Sequence, residues 1–181
     1  MSGAIAPQDT SAPHAPLVVV MGVSGSGKTT IGALIADELG VPFVDGDALH
    51  PIENVRRMAA GTPLTDEDRW PWLRRVGEHL AEAGTSGRGL VVACSALKRA
   101  YRDAILAEAP DTVFVHLAGS VEVLQARMEG RSDHFMPAGL LRSQLATLEP
   151  LATDEPGFVL DIAQPVDDLV RQALDGLRTR A

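Results

Sequence analysis

The chain has 181 residues, 45% of them hydrophobic, and a formal net charge of −8. That length suits one domain with a single sizeable core and excludes a second full domain, and the apolar content excludes a disordered chain. The acidic balance argues against a nucleic-acid partner, the longest apolar runs are far too short to span a membrane, and a single cysteine, Cys94, fits a reducing cytoplasm.

Residues 1–16 are rich in Ala, Pro and Ser without apolar periodicity, and read as a disordered tail preceding one domain over 17–181. From Leu17 on, apolar runs alternate with helical patterns: Leu17–Met21, Phe43–Val44, Leu90–Ala93, Val113–Leu117 and Phe158–Ile162. Strands separated by helix-length segments predict an α/β fold, a parallel sheet with helices on both faces. Ile31, Leu34, Ile35 and Leu39 share one face of the first helix. Thr65 and Asp68 have the spacing of a capping box, opening a helix through Trp72, Val76 and Leu80. A closing helix carries Val166, Leu169, Val170, Ala173, Leu174 and Leu177 on one face. Asp167 and Asp168 start it and Arg178 and Arg180 end it, as the macrodipole favours.

Gly22-Val23-Ser24-Gly25-Ser26-Gly27-Lys28-Thr29 fits G-x-x-x-x-G-K-S/T, between an apolar strand and an amphipathic helix. A chain wrapping a polyphosphate must turn its N–H groups inward, which needs positive φ and little side-chain bulk; the helix behind it adds a positive dipole end. The motif therefore predicts an ATP site. Lys28 is expected on the β- and γ-phosphates, the Thr29 hydroxyl on Mg²⁺, and Thr30 in the same nucleotide site.

Phe43-Val44-Asp45-Gly46-Asp47 brings two carboxylates to the carboxyl end of the second strand, the edge that faces ligands in doubly wound sheets. If the strand continues this far, Asp45 and Asp47 share a side. Asp45 is assigned to the Mg²⁺ shell and Asp47 to the acceptor hydroxyl, which it orients more than deprotonates because phosphoryl transfer relies chiefly on positioning and charge neutralisation.

The segments Asp45–Pro51, Asn54, Arg57-Met58, Gly61–Leu73, Ala93–Arg102, His134–Pro137 and Asp161–Pro165, in this order, resemble gluconokinases from about Leu17 to the last helix. The resemblance implies a P-loop NTPase-type three-layer sandwich with a five-stranded parallel sheet, a helical substrate-binding insertion at about 48–86 and a lid at about 127–139. It also implies a Mg²⁺-dependent homodimer that phosphorylates D-gluconate to 6-phosphogluconate. The residues support this chemically, because a polyhydroxy carboxylate needs cations and mixed hydrogen-bonding groups. His50 and the i,i+4 pair Lys98 and Arg102 follow strand ends. Asn54 and Arg57 are substrate candidates on a helix whose other face, Ile52, Val55 and Ala59, is apolar. Arg127, Arg131 and His134 surround Gly130 in the lid, where arginines neutralise charge on the transferred phosphate and exclude water. The alternatives are a kinase for another small acceptor, such as shikimate or a nucleoside monophosphate, and a nucleotide-dependent switch. Trp70 and Trp72 read as packing, Cys94 as a small buried side chain, and His116 as a strand residue without a metal.

Overall fold

The computed structural model describes residues 15–130 and 138–180. Five strands, β1 (Leu17–Met21), β2 (Phe43–Asp45), β3 (Leu90–Ala93), β4 (Val113–Ala118) and β5 (Gly157–Asp161), pair in parallel in the order β2-β3-β1-β4-β5. Between them run α1 (Lys28–Leu39), a short 3₁₀ helix (Gly46–Leu49), α2 (Ile52–Ala59), α3 (Asp66–Thr85), α4 (Arg99–Glu108), α5 (Val121–Glu129) and α6 (Ala138–Thr147), and α7 (Val166–Arg178) closes the fold.

The central strand explains the layering. Every residue of β1 is buried, as expected of a strand covered on both faces. Val18 and Val20 point into a core shared with Ile31 and Ile35 of α1 and Leu169 and Ala173 of α7. Leu17, Val19 and Met21 point the other way, onto Trp72, Leu73, Val76 and Leu80 of α3 and Tyr101 and Ile105 of α4. Alternation along one strand thus builds two cores, and the three-layer sandwich follows. Each fully buried Val, Leu or Ile contributes roughly 1.5–3 kcal/mol.

The capping box is present. Thr65 Oγ1 accepts the Asp68 N–H at 3.2 Å, and Asp68 Oδ2 accepts the Thr65 N–H at 2.9 Å. It starts α3 with two of the orphan amides satisfied.

Three local expectations are corrected. First, β2 stops at Asp45. Asp45 Oδ1 accepts the Asp47 N–H at 3.0 Å and caps the 3₁₀ helix, so Asp47 leaves the strand and the period-two argument does not apply. Gly46 permits the bend, because a Cβ there would lie 2.5 Å from Ala93 O. Second, α2 is turned the other way: Asn54 is buried, whereas Ile52, Val55 and Met58 are exposed. Third, α4 starts only at Arg99, with Lys98 in extended conformation as its N-cap, so Lys98 and Arg102 do not share a helix face.

His116 on β4 is buried, and its Nδ1 has no hydrogen-bond partner among the described residues. Burial, and then the nearby Arg102 charge, push its pKa down to about 4. The unfolded chain therefore takes up a proton near its ordinary 6.5 that the folded chain refuses. Stability contributed by the neutral ring is complete above that value and declines as pH falls toward 4. Thermal melts should show Tm falling across this window, before Asp or Glu protonation begins to dominate. His116→Phe should make that upper part of the profile shallower.

Candidate active site

The sheet delivers its loops to one edge. Gly22–Gly27 leaves β1, with Gly25 at φ 80° and Gly27 at φ 93°, and Gly27 is the N-cap of α1. Positive φ at these two positions is what aims consecutive amides inward. Lys28 folds its side chain back over the loop, its Nζ donating to Val23 O at 3.0 Å. Ser26 is fully buried, while Thr29 and Thr30 are exposed on the first turn of α1. Ser24 donates its N–H to Gln144 Oε1 of α6 at 2.6 Å, an attachment from 120 residues away. Arg127, at the end of α5, donates through Nη2 to Ile162 O at 2.5 Å; its Nη1 lies 3.4 Å from where a Cβ on Gly27 would sit.

Asp45 brings a carboxylate to this loop, with Thr29 Oγ1 donating to its Oδ2 at 3.5 Å. Asp47 follows at the same edge. Its carboxylate reaches the surface but is enclosed enough that desolvation, then the Asp45 charge, raise its pKa, with Lys28 opposing. Such a carboxylate is a stronger hydrogen-bond acceptor than an ordinary surface aspartate.

His50 stacks on Trp72, ring centres 4.1 Å apart, and Trp72 donates its indole N–H to Gly46 O at 2.8 Å. Asn54 Nδ2 lies 3.4 Å from His50 Nδ1, which assigns Nδ1 as an acceptor and the proton to Nε2. Burial, then Arg69, push the His50 pKa down to about 4, so the ring is neutral at physiological pH. Asn54 also donates to Asp68 O at 2.7 Å, and Arg57 pairs with Asp68 at 3.1 Å. Both residues thereby fasten α2 to the start of α3.

Beside His50, the expected Lys98 sits in a cluster whose other members, Asp66, Arg69 and Tyr101, sequence reading did not assign. Lys98 Nζ donates to both oxygens of Asp66 at 3.0 and 3.2 Å, and Tyr101 donates its hydroxyl to Asp66 Oδ1 at 2.5 Å. Arg69 Nη1 donates to Tyr101 Oη at 3.2 Å. The Tyr101 and Lys98 hydrogen bonds, in that order, hold Asp66 below the usual carboxylate range. Two cations and one carboxylate, each about a third exposed, thus converge over the buried Tyr101 ring, an arrangement suited to a small anion carrying hydroxyls. The i,i+3 spacing of Asp66 and Arg69 in the first turn of α3 is the available signal.

Arg102 is not in this patch. It is fully buried, with Nε and Nη2 on Glu155 at 2.6 and 2.9 Å and Nη1 on the carbonyls of Ala96 and Leu97. The expected substrate contact is therefore corrected, because its guanidinium is engaged inside the protein. Glu149 and Glu155 were not singled out in the sequence. Their position after α6, beside Asp154, placed three carboxylates within seven residues, a signal only in relation to Arg99 and Arg102. Arg131 and His134 lie outside the described residues.

A family model described as shikimate kinase matches residues 24–154. The chain is 51% identical over 139 residues to a gluconokinase of Gluconobacter oxydans, covering 77% of this chain and 78% of that one. It is 42% identical over 155 residues to the thermosensitive gluconokinase of Escherichia coli, covering 85% and 83%. Among solved structures, a gluconokinase from Sinorhizobium meliloti matches with a TM-score of 0.83 at 51% identity, covering 92% and 93% of the two chains. A shikimate kinase from Acinetobacter baumannii, 18% identical with a TM-score of 0.57, shares the fold alone. A glycine-rich loop between β1 and α1, a polar patch at the same sheet edge and this level of identity over most of the chain agree: the chain belongs to the gluconokinase family.

Proposed function

We propose that the chain transfers the γ-phosphoryl group of ATP to the terminal hydroxyl of D-gluconate, giving 6-phospho-D-gluconate and ADP. The observation that carries this reading is the convergence at one edge of the glycine loop, Asp47, and the Lys98–Asp66–Tyr101–Arg69 cluster. The amides of Gly22–Gly27 and Lys28 cradle the β- and γ-phosphates, with Thr30 beside them, and Arg127 completes the nucleotide side. Lys98 and Arg69 neutralise the sugar-acid carboxylate, while Asp66, Tyr101 and His50 Nε2–H exchange hydrogen bonds with its hydroxyls. Asn54 and Arg57 shape this subsite by fixing α2. Asp47 accepts a hydrogen bond from the attacking hydroxyl and aligns it with the γ-phosphorus. Arg131 and His134 keep the lid role assigned from the sequence.

Thr29 Oγ1 and Asp45 Oδ2 approach each other from two elements and are hard oxygen donors of the kind Mg²⁺ takes. They are the residues that would hold the ion, which neutralises charge on the phosphate oxygens when bound. The same reading takes the protein as a cytoplasmic homodimer. Cys94 is buried with its thiol pushed up to about 12 by desolvation, which suits an inert packing residue. No helix among the described residues is long and apolar enough to cross a membrane.

An ADP-release assay with gluconate, shikimate and AMP as acceptors tests the reading: turnover with gluconate is expected, and turnover confined to AMP or shikimate overturns it. Gln144→Ala supplies a further expected outcome. Loss of its hold on Ser24 should raise the KM for ATP by roughly 3–10-fold and leave the KM for gluconate unchanged, as steady-state kinetics would read.

A further inference from the structure

Between β3 and α4 the chain turns through Ser95–Lys98, and within this turn Ala96 has φ 43°, a left-handed conformation that residues with a side chain rarely adopt. Ala96 is fully buried. A strained bend persists where its surroundings over-determine it, and here they do. Arg102 Nη1 donates to Ala96 O at 3.1 Å and to Leu97 O at 3.2 Å. The Glu149 N–H donates to Leu97 O at 2.8 Å, and Glu149 Oε2 accepts the Arg99 N–H at 2.7 Å. Arg102 is itself fixed by the Glu155 carboxylate, with side-chain exposures of 0% and 2%.

A buried ion pair is poor support for stability, because an apolar pair of similar volume often serves as well or better. What apolar side chains cannot do is donate to two consecutive carbonyls. Those carbonyls directly precede Lys98, whose backbone leaves the bend extended at φ −97°, ψ 150° and whose Nζ ends on Asp66. We propose that Arg102 is a positioning residue for the sugar-acid subsite: with Glu155 it locks the Ala96–Leu97 bend and so fixes where Lys98 presents its ammonium. This rests on the reading of Lys98 as a contact for the sugar acid.

The test compares Arg102→Met/Glu155→Leu, which removes the pair without stranding a charge, with Lys98→Ala and with the triple variant. The double variant should raise the KM for gluconate about 10-fold and keep the KM for ATP within about twofold of wild type. The triple variant should be no worse than Lys98→Ala, because Arg102 acts through that residue. Losses that multiply, or a wild-type gluconate KM in the double variant, overturn the positioning role while leaving the subsite reading intact. A wild-type gluconate KM in Lys98→Ala removes the subsite reading and the inference together. If the apolar pair does not fold, Arg102→Lys decides. It keeps a charge opposite Glu155 but replaces the planar fork, and should raise the gluconate KM about 3–10-fold with ATP binding unaltered. An unchanged value overturns the proposal.

Discussion

Replacing Lys28 with alanine is expected to lower kcat by roughly three orders of magnitude while the protein stays folded. The argument has a structural and a chemical half. Structurally, Lys28 is the first residue of α1, half-exposed, and outside both hydrophobic cores. Its ammonium reaches Val23 O across the mouth of the loop, where the terminal phosphates are proposed to lie. Chemically, phosphoryl transfer spreads negative charge over the transferred group, and a fixed cation at that point stabilises the transition state more than the ground state. Steady-state kinetics read the loss and a thermal melt confirms the fold. A near-normal kcat would mean that the loop does not hold the transferred phosphate.

The largest expected effect on stability is at Glu155. Glu155→Ala leaves the Arg102 guanidinium buried without its counter-ion, and breaking a buried pair in this way costs about 3–5 kcal/mol. For a domain of this size, that corresponds to a Tm lowered by about 10 °C. The effect has a pH signature. The Arg102 hydrogen bonds hold the Glu155 carboxyl below its ordinary value of 4.5. Its contribution is therefore complete above that value and lost as pH falls through the lower folded one. The difference between wild type and variant should accordingly be full at neutral pH and shrink in acid. A variant melting within a degree or two of wild type at neutral pH would show that the Arg102 charge is not stranded when Glu155 is lost.

The fold was legible where local chemistry and global architecture coincide. β1 reads as a buried strand because it is apolar at every position, and the turn after it reads from its glycines because the positive φ of Gly25 and Gly27 excludes most other residues. The Thr65 cap was visible because both partners lie within one helical turn. The sheet edge also carries Asp45, Asp47, His50 and Lys98, as their places after strand ends implied. What the sequence hid depends on distance. Arg102 has the spacing of a partner for Lys98, but α4 begins one residue too late for both to share a face, and the carboxylate that takes Arg102 inward comes from 53 residues away. Gln144 is farther still from Ser24, and a lone glutamine on a helix carries no local signal. For α2, periodicity identified an apolar face but not its direction; Asn54 and Arg57, bonded to the start of α3, turn it outward.

Purified protein incubated with magnesium, ATP and D-gluconate, followed by phosphorus and carbon NMR of the product, tests the account most directly. The expected result is stoichiometric ADP and a new phosphomonoester whose phosphorus couples to the C6 methylene of gluconate. Unmodified gluconate, or a phosphate on any other oxygen, would contradict it.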